Sequence, residues 1–361
     1  MKKIIIGDLH LGIKDSNGNF INYQNSFFNE ILIPYLQKRP KEFDLVFLGD
    51  VFHNRRILNV KTIAQINQLF SKLSELCNDI IVIVGNHDLY FRNSYDLSAS
   101  HLILNELFSN ITMFNDYHIE NNNLYVNWRN NRKEYIELFE TIPFHVRENI
   151  NYVFGHFELF NYKFNANINN DDVEALSESD LMDYFPKALK ILSGHYHTPQ
   201  EKKKVRYVGV PYQLTWSEYN ERLGFIKLEN DSEELIENPF QIFQYYEFNS
   251  KEDIDGFQID EGKFKKIIKV KFNDESLKDK IEILKDNLSE QGHDVVIVNT
   301  FNNMIANCNE TEIQKNLSME NLLWKYLNEE TTIPNKNSFY KLFMQIYENI
   351  KNEMGNNIEL F

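Results

Sequence analysis

Five short motifs in this chain carry side chains that can do chemistry. They are Asp8-Leu9-His10, Gly49-Asp50-Val51-Phe52-His53, Gly85-Asn86-His87-Asp88, Gly155-His156 and Gly194-His195-Tyr196-His197. Carboxylate, imidazole and amide oxygen together suit manganese, iron or zinc, and no cysteine is placed to join them. Asp8, His10, Asp50, Asn86, His156, His195 and His197 are more ligands than one ion needs, which fits two cations sharing a bridging carboxylate. Two such ions about 3.5–4 Å apart clamp a phosphate and acidify a water. His87 is not needed as a ligand. Oriented by a carboxylate such as Asp88, it would stabilise developing charge or protonate a leaving oxygen.

Taken singly, each motif has a bland reading. Asp-x-His is common, Gly-Asp after a strand is often a turn, Gly-Asn-His-Asp could be a polar-tipped turn, and a His-x-His pair could simply be exposed. Their joint placement is not bland. Six of the ten histidines fall inside these motifs, and each motif follows a predicted strand.

Strands are predicted at Lys3–Ile6, Leu45–Leu48, Ile80–Val84, Tyr152–Phe154, Lys190–Leu192, Arg206–Val208 and Phe225–Leu228. Between them the 3-and-4 spacing of apolar residues predicts helices at Phe27–Gln37, kinked at Pro34, at Val60–Leu76 with Asn59 as N-cap, and at Tyr95–Phe108. Asn121–Asn123 reads as loop filling. The alternation predicts an α/β layered domain, whose strand-end loops converge on one crevice. Lys266–Phe272, Leu277–Leu288 and Val295–Asn299 read as a strand–helix–strand module preceded by a possible strand at Phe240–Phe248, and Phe339–Ile350 as an amphipathic helix.

Composition narrows the setting. The 361 residues suggest two domains or one with an appendix. Cys77 and Cys308 cannot build a disulfide framework and fit a reduced, cytoplasmic chain. The apolar runs are strand-sized, so no membrane span is expected, and the start is too short for a signal peptide. The net charge of −15 makes a poor free-standing, non-specific DNA binder. Ten acids against two lysines between Asp231 and Phe264 supply more than half of it. His101, His118, His145 and His293 are expected to be structural or at the surface, and Trp128 and Trp216 to pack rather than stack on bases.

The ordered motifs Gly-Asp-Leu-His-Leu-Gly, Gly-Asp-Val-Phe-His, Gly-Asn-His-Asp, Gly-His and Gly-His-Tyr-His-Thr-Pro resemble those of calcineurin-like metallophosphoesterases. More narrowly they resemble the SbcD-type nucleases, a branch favoured by His53. Gly155-His156-Phe157-Glu158-Leu159, Val205-Arg206-Tyr207-Val208-Gly209-Val210-Pro211 and the overall length are similar to the shorter form used by T-even phages as a recombination endonuclease subunit. The resemblance implies that Asp8, His10, Asp50 and His197 hold one metal and that Asp50, Asn86, His156 and His195 hold the other, with manganese expected. It implies that His87 is catalytic and that His53 acts near the scissile phosphate or the DNA end.

It also implies an architecture: a phosphoesterase sandwich over 1–230, an acidic connecting segment over 231–264, a small α+β capping domain over 265–310, and helices over 311–361 that dock on an SbcC-type SMC-like ABC ATPase. The activity implied is double-strand exonuclease and single-strand endonuclease cleavage of DNA in double-strand-break repair and recombination, in a bacterial or phage-infected cytoplasm. The helices Phe20–Gln37 and Val60–Leu76 could build a homodimer interface. A phosphoesterase acting on small molecules or phosphoproteins would use the same metals. A non-catalytic scaffold would be expected to have lost ligands, whereas all are present.

Overall fold

A computed structural model describes residues 2–299 apart from 92–93, 105–107, 166–167, 171, 173 and 260–261. The expected ATPase-binding helices over 311–361, the amphipathic stretch Phe339–Ile350, Cys308 and the end of the expected capping domain lie outside the described residues.

Two six-stranded sheets form the centre. In the first, Lys2–Ile6, Asp44–Phe47, Ile80–Val82 and Ile111–Thr112 run parallel, and Gly224–Glu229 and then Ser232–Glu237 add antiparallel at the edge. In the second, Val205–Tyr207, Lys190–Ser193, Tyr152–Gly155 and Asn123–Val126 run parallel, flanked by Gln200–Lys202 and Tyr117–Glu120.

Side chains alternate across each strand, so consecutive apolar residues feed different layers. Ile5, Val46, Ile81 and Ile226 of the first sheet meet Tyr125, Phe154 and Leu192 of the second in one buried cluster. Ile4, Ile6, Phe47 and Val82 face the other way, onto Phe20, Tyr23, Phe27, Ile66, Phe70 and Leu73 of the helical runs Gly18–Gln37 and Val60–Leu76. Leu124, Val153, Ile191 and Val205 face Tyr135 and Phe139 of Arg132–Thr141 and Leu181 of Glu178–Tyr184. The order of layers is helix, sheet, sheet, helix. This is the layered α/β sandwich expected.

Several local expectations are corrected. The first helical run starts at Gly18, capped by the Asn17 side chain, and continues through Pro34 to Gln37. Phe27–Leu32 instead winds as a π-helix in which the Ile33 N–H reaches the Phe28 carbonyl. The wider turn carries the chain to a proline that cannot donate. Tyr95–Phe108 is not one helix. Leu89–Phe91 pairs with Ser94–Ser98 as a hairpin, and among the described residues of that span the helix is Ala99–Leu104, with the Ser98 hydroxyl accepting the His101 N–H at 3.1 Å. Asn121 and Asn122 are not filling. Both have positive φ, 51° and 60°, and make the tight turn of the Tyr117–Val126 hairpin.

The acidic segment over 231–264 is more than a connector. It supplies the edge strand Ser232–Glu237, where Glu233 accepts from Arg206 at 2.7 Å, so the first sheet runs past residue 230. Phe243–Phe248, Ile267–Phe272 and Asp294–Asn299 form a three-stranded sheet with Ile267–Phe272 in the middle, and Lys278–Glu290 is the helix of the strand–helix–strand unit. The chain divides into two compact units. Among the described residues, one is 2–246 with Gln258–Lys269 and Asp286–Val296, and the other is Glu247–Phe257 with Val270–Lys285 and 297–299. Among the described residues no helix is long and apolar enough to cross a membrane.

Candidate metal centre

All five motifs leave the carboxyl ends of parallel strands. The first two are zipped together beyond the sheet: the Leu9 and His10 N–H groups donate to the Asp50 carbonyl at 3.0 and 2.9 Å, and the His53 N–H donates to the Leu11 carbonyl at 3.0 Å. Holding side chains inward there strains the backbone. His10, Asp50 and His195 all have positive φ, at 46°, 49° and 88°, a conformation that L residues keep only where surroundings enforce it. Glycines make room at two points. A Cβ on Gly85 would lie 2.2 Å from the Asp50 Oδ1, and one on Gly194 would lie 2.4 Å from the Asp8 Oδ1.

The seven expected ligands are brought together in two overlapping sets. In one, His10 Nε2 lies 3.0 Å from His197 Nε2, which is 3.8 Å from Asp8 Oδ2. In the other, Asn86 Oδ1 lies 3.0 Å from His156 Nε2 and 3.2 Å from His195 Nδ1. Asp50 Oδ2 stands between them, 3.6 Å from His10 Nε2 and 3.5 Å from His156 Nε2. Donor atoms of Asp8, His10 and His197, and of Asp8, Asp50 and His156, each converge within 4.8 Å. Carboxylate and imidazole donors crowded this closely, and almost fully buried at Asp8, His10, Asp50 and His156, fit divalent cations.

Groups outside the ligand set fix its orientation. His156 Nδ1–H donates to the Leu48 carbonyl at 2.7 Å, which leaves Nε2 for the cluster. The His195 N–H donates to the Asp8 carboxylate at 3.0 Å. His197 Nδ1 lies 3.3 Å from the Glu218 carboxylate, and His195 Nε2 lies 3.6 Å from Glu158. Sequence reasoning missed Glu218. Its spacing from Thr215 is a capping-box signature, which the structure contains, but nothing in that pattern points to His197.

The buried carboxylates and imidazoles set one another's protonation. Burial pushes the Asp8 carboxyl up to about 6, with the Asp50 charge adding to it. Burial also acts on Asp50, but the surrounding His156, His10 and His87 outweigh it and hold that carboxyl well below its usual range. His195 is lowered to about 3 by burial and by His156. His156 goes the other way, to about 9, because Asp50 and Asp8 overcome its burial.

His87 and His53 stand beside this cluster. Their rings stack with centroids 5.7 Å apart, and His53 Nδ1 is 3.4 Å from His10 Nδ1. The group that orients His87 is not a carboxylate, contrary to expectation. His87 Nδ1 lies 2.8 Å from the His53 carbonyl oxygen, while the Asp88 carboxylate accepts the Phe52 and Gly85 N–H groups at 3.1 and 2.9 Å. Asp88 therefore ties two motif loops together from a fully buried position. Burial and the Asp50 charge push its carboxyl up to about 7. Of the other histidines, His293 is buried and accepts the Lys266 N–H, and Trp128 packs with Val84 and Leu89.

The chain is 23% identical over 338 residues to "Exonuclease subunit 1" of Enterobacteria phage T4, covering 91% of this chain and 92% of that protein. This matches the phage form that the motifs resemble. Residues 1–212, which hold every expected metal ligand and the parallel strands that position them, match the calcineurin-like phosphoesterase family, and the chain belongs to it.

Proposed function

We propose that the chain is a manganese-dependent DNA nuclease that hydrolyses phosphodiesters with two cations and works with an ATPase of the SbcC type. The observation that carries the two-cation reading is the position of Asp50, whose Oδ2 is nearly equidistant from His10 and His156 at 3.6 and 3.5 Å. Asp8, His10 and His197 would hold one ion with Asp50, and Asn86, His156 and His195 the other. Ions held there would supply neutralisation of phosphate charge and an acidified water as nucleophile.

The chain's own residues do the rest. The His53 carbonyl takes the Nδ1–H of His87, so Nε2 is the ring nitrogen left to meet the phosphate or its leaving oxygen. The His87 N–H donates to Asp50 Oδ1 at 2.8 Å and ties that histidine's backbone to the shared carboxylate. His53, stacked on His87, limits the ring's freedom to turn. DNA is favoured as substrate by the similarity to a protein named as an exonuclease subunit, and the word subunit favours a partner. That partner would also answer for a net charge of −15, which by itself repels DNA.

The test is release of nucleotides from end-labelled linear duplex DNA by the purified chain, with manganese, with magnesium, and with His87→Ala as control. Manganese-dependent release that disappears in the variant supports the proposal. Failure on DNA, with and without an ATPase partner, alongside turnover of a small chromogenic phosphodiester, would move the substrate class to small molecules or phosphoproteins.

A further inference from the structure

The geometry points to Glu218 as the positioning residue that fixes the tautomer of His197 and thereby makes its Nε2 a metal donor. The inference rests on the reading of the strand-end cluster as a metal centre and adds to it a residue that is not itself a ligand.

Glu218 is fully buried. A buried carboxylate persists only when its oxygens are satisfied, and its two oxygens face different tasks. Oε2 accepts the Leu214 and Thr215 N–H groups, the former at 3.0 Å, and so shapes the loop leading into the short 3-10 turn Trp216–Glu218. Oε1 lies 3.3 Å from His197 Nδ1 and 3.2 Å from the Ser217 hydroxyl, which donates to it. A carboxylate can only accept. His197 must therefore carry a proton on Nδ1. Its other nitrogen is the one that lies 3.0 Å from His10 Nε2 and 3.8 Å from Asp8 Oδ2.

The same geometry makes Glu218→Gln an informative substitution. The glutamine carbonyl can keep accepting from Leu214 and Thr215, so the loop retains its hydrogen bonds. Its amide N–H₂ then faces His197 Nδ1, and two donors cannot face each other. The imidazole answers by carrying its proton on Nε2, aimed at the ligands. The substitution thus removes a metal donor without touching a ligand.

The test uses the full chain and manganese ion alone, with free Mn²⁺ followed by electron paramagnetic resonance. Wild type is expected to bind two ions. Glu218→Gln should weaken one of them by about 10–100-fold, the usual effect of losing such an outer partner, and leave the other. In a His197→Ala background Glu218→Gln should add nothing, because its effect passes through that ring. Long-range ¹H–¹⁵N correlation of the metal-free wild type should place the His197 proton on Nδ1, which decides the matter even if the variant folds poorly. A proton on Nε2, wild-type affinity in Glu218→Gln, or an undiminished further loss in the His197→Ala background would each overturn the inference. A wild-type chain that binds no Mn²⁺ would overturn the metal centre itself, and this inference with it.

Discussion

His87 Nδ1 lies 2.8 Å from the main-chain carbonyl of His53, so two histidines from different strand-end loops hold one ring in one orientation. A carbonyl, unlike a carboxylate, adds no net charge beside the phosphate. His87→Ala should lower hydrolysis by about 10²–10⁴-fold, the range of a lost acid–base group, and leave manganese binding unchanged. Turnover and metal stoichiometry measured on the same preparation check this. Retained turnover would remove His87 from the chemistry.

Gly85 is a point where backbone must approach a carboxylate. A Cβ there would stand 2.2 Å from Asp50 Oδ1 and 2.5 Å from its backbone nitrogen. Gly85→Ala is expected to cost about 1–3 kcal/mol, as overpacking does, and to weaken metal binding by displacing Asp50. Gly18→Ala, with nothing within 4 Å of the added carbon, is the control and should change neither denaturant midpoint nor metal affinity appreciably.

Metal removal should abolish turnover without unfolding the sandwich, because its three apolar clusters are built from residues outside the ligand set. Manganese at about 100 times its dissociation constant should then stabilise the metal-free protein by about 2.7 kcal/mol per site through linkage. Circular dichroism with chelator, followed by a thermal melt with added manganese, measures both.

The second sheet's helices carry a pH-sensitive link. Arg132 donates to both oxygens of Asp180, at 2.8 and 2.6 Å, and this with Ser177 lowers the Asp180 carboxyl to about 2. A carboxyl depressed on folding stabilises the native state above its unfolded pKa of about 4 and loses that contribution as pH falls through the folded value. The stability difference between wild type and Asp180→Asn should therefore be constant above about pH 5 and shrink between about pH 4 and pH 2. Denaturant unfolding across that range checks it, and a difference that does not change would contradict the pairing.

What was legible in the sequence follows from how the site is built. Asp8, Asp50, Asn86, His156 and His195 each end a buried parallel strand, and a buried strand is a visible apolar run, so motif and position could be read together. The hairpin at Tyr117–Val126 was not legible, since its turn lies in the φ values of Asn121 and Asn122 rather than in an apolar pattern. The hairpin before Ala99 was hidden because Tyr95 continues the 3-and-4 spacing of Ala99, Leu102 and Ile103 backwards past Ser98, where the helix begins. Ser232–Glu237 falls within the expected acidic connecting segment, because an edge strand with paired glutamates carries the same run of charge. The partners that orient the ligands and His87 were equally hidden. Two are main-chain carbonyls, of Leu48 and His53, and one is Glu218, twenty-one residues from the ring it faces.

The central claim is that both ligand sets form one centre joined through Asp50. Anomalous diffraction at the manganese edge, from crystals of wild type and Asp50→Ala grown with Mn²⁺, tests it most directly. Two peaks about 3.5–4 Å apart are expected on either side of the Asp50 carboxylate, with neither at full occupancy in Asp50→Ala. A single peak in wild type, or two full peaks that survive the loss of Asp50, would contradict it.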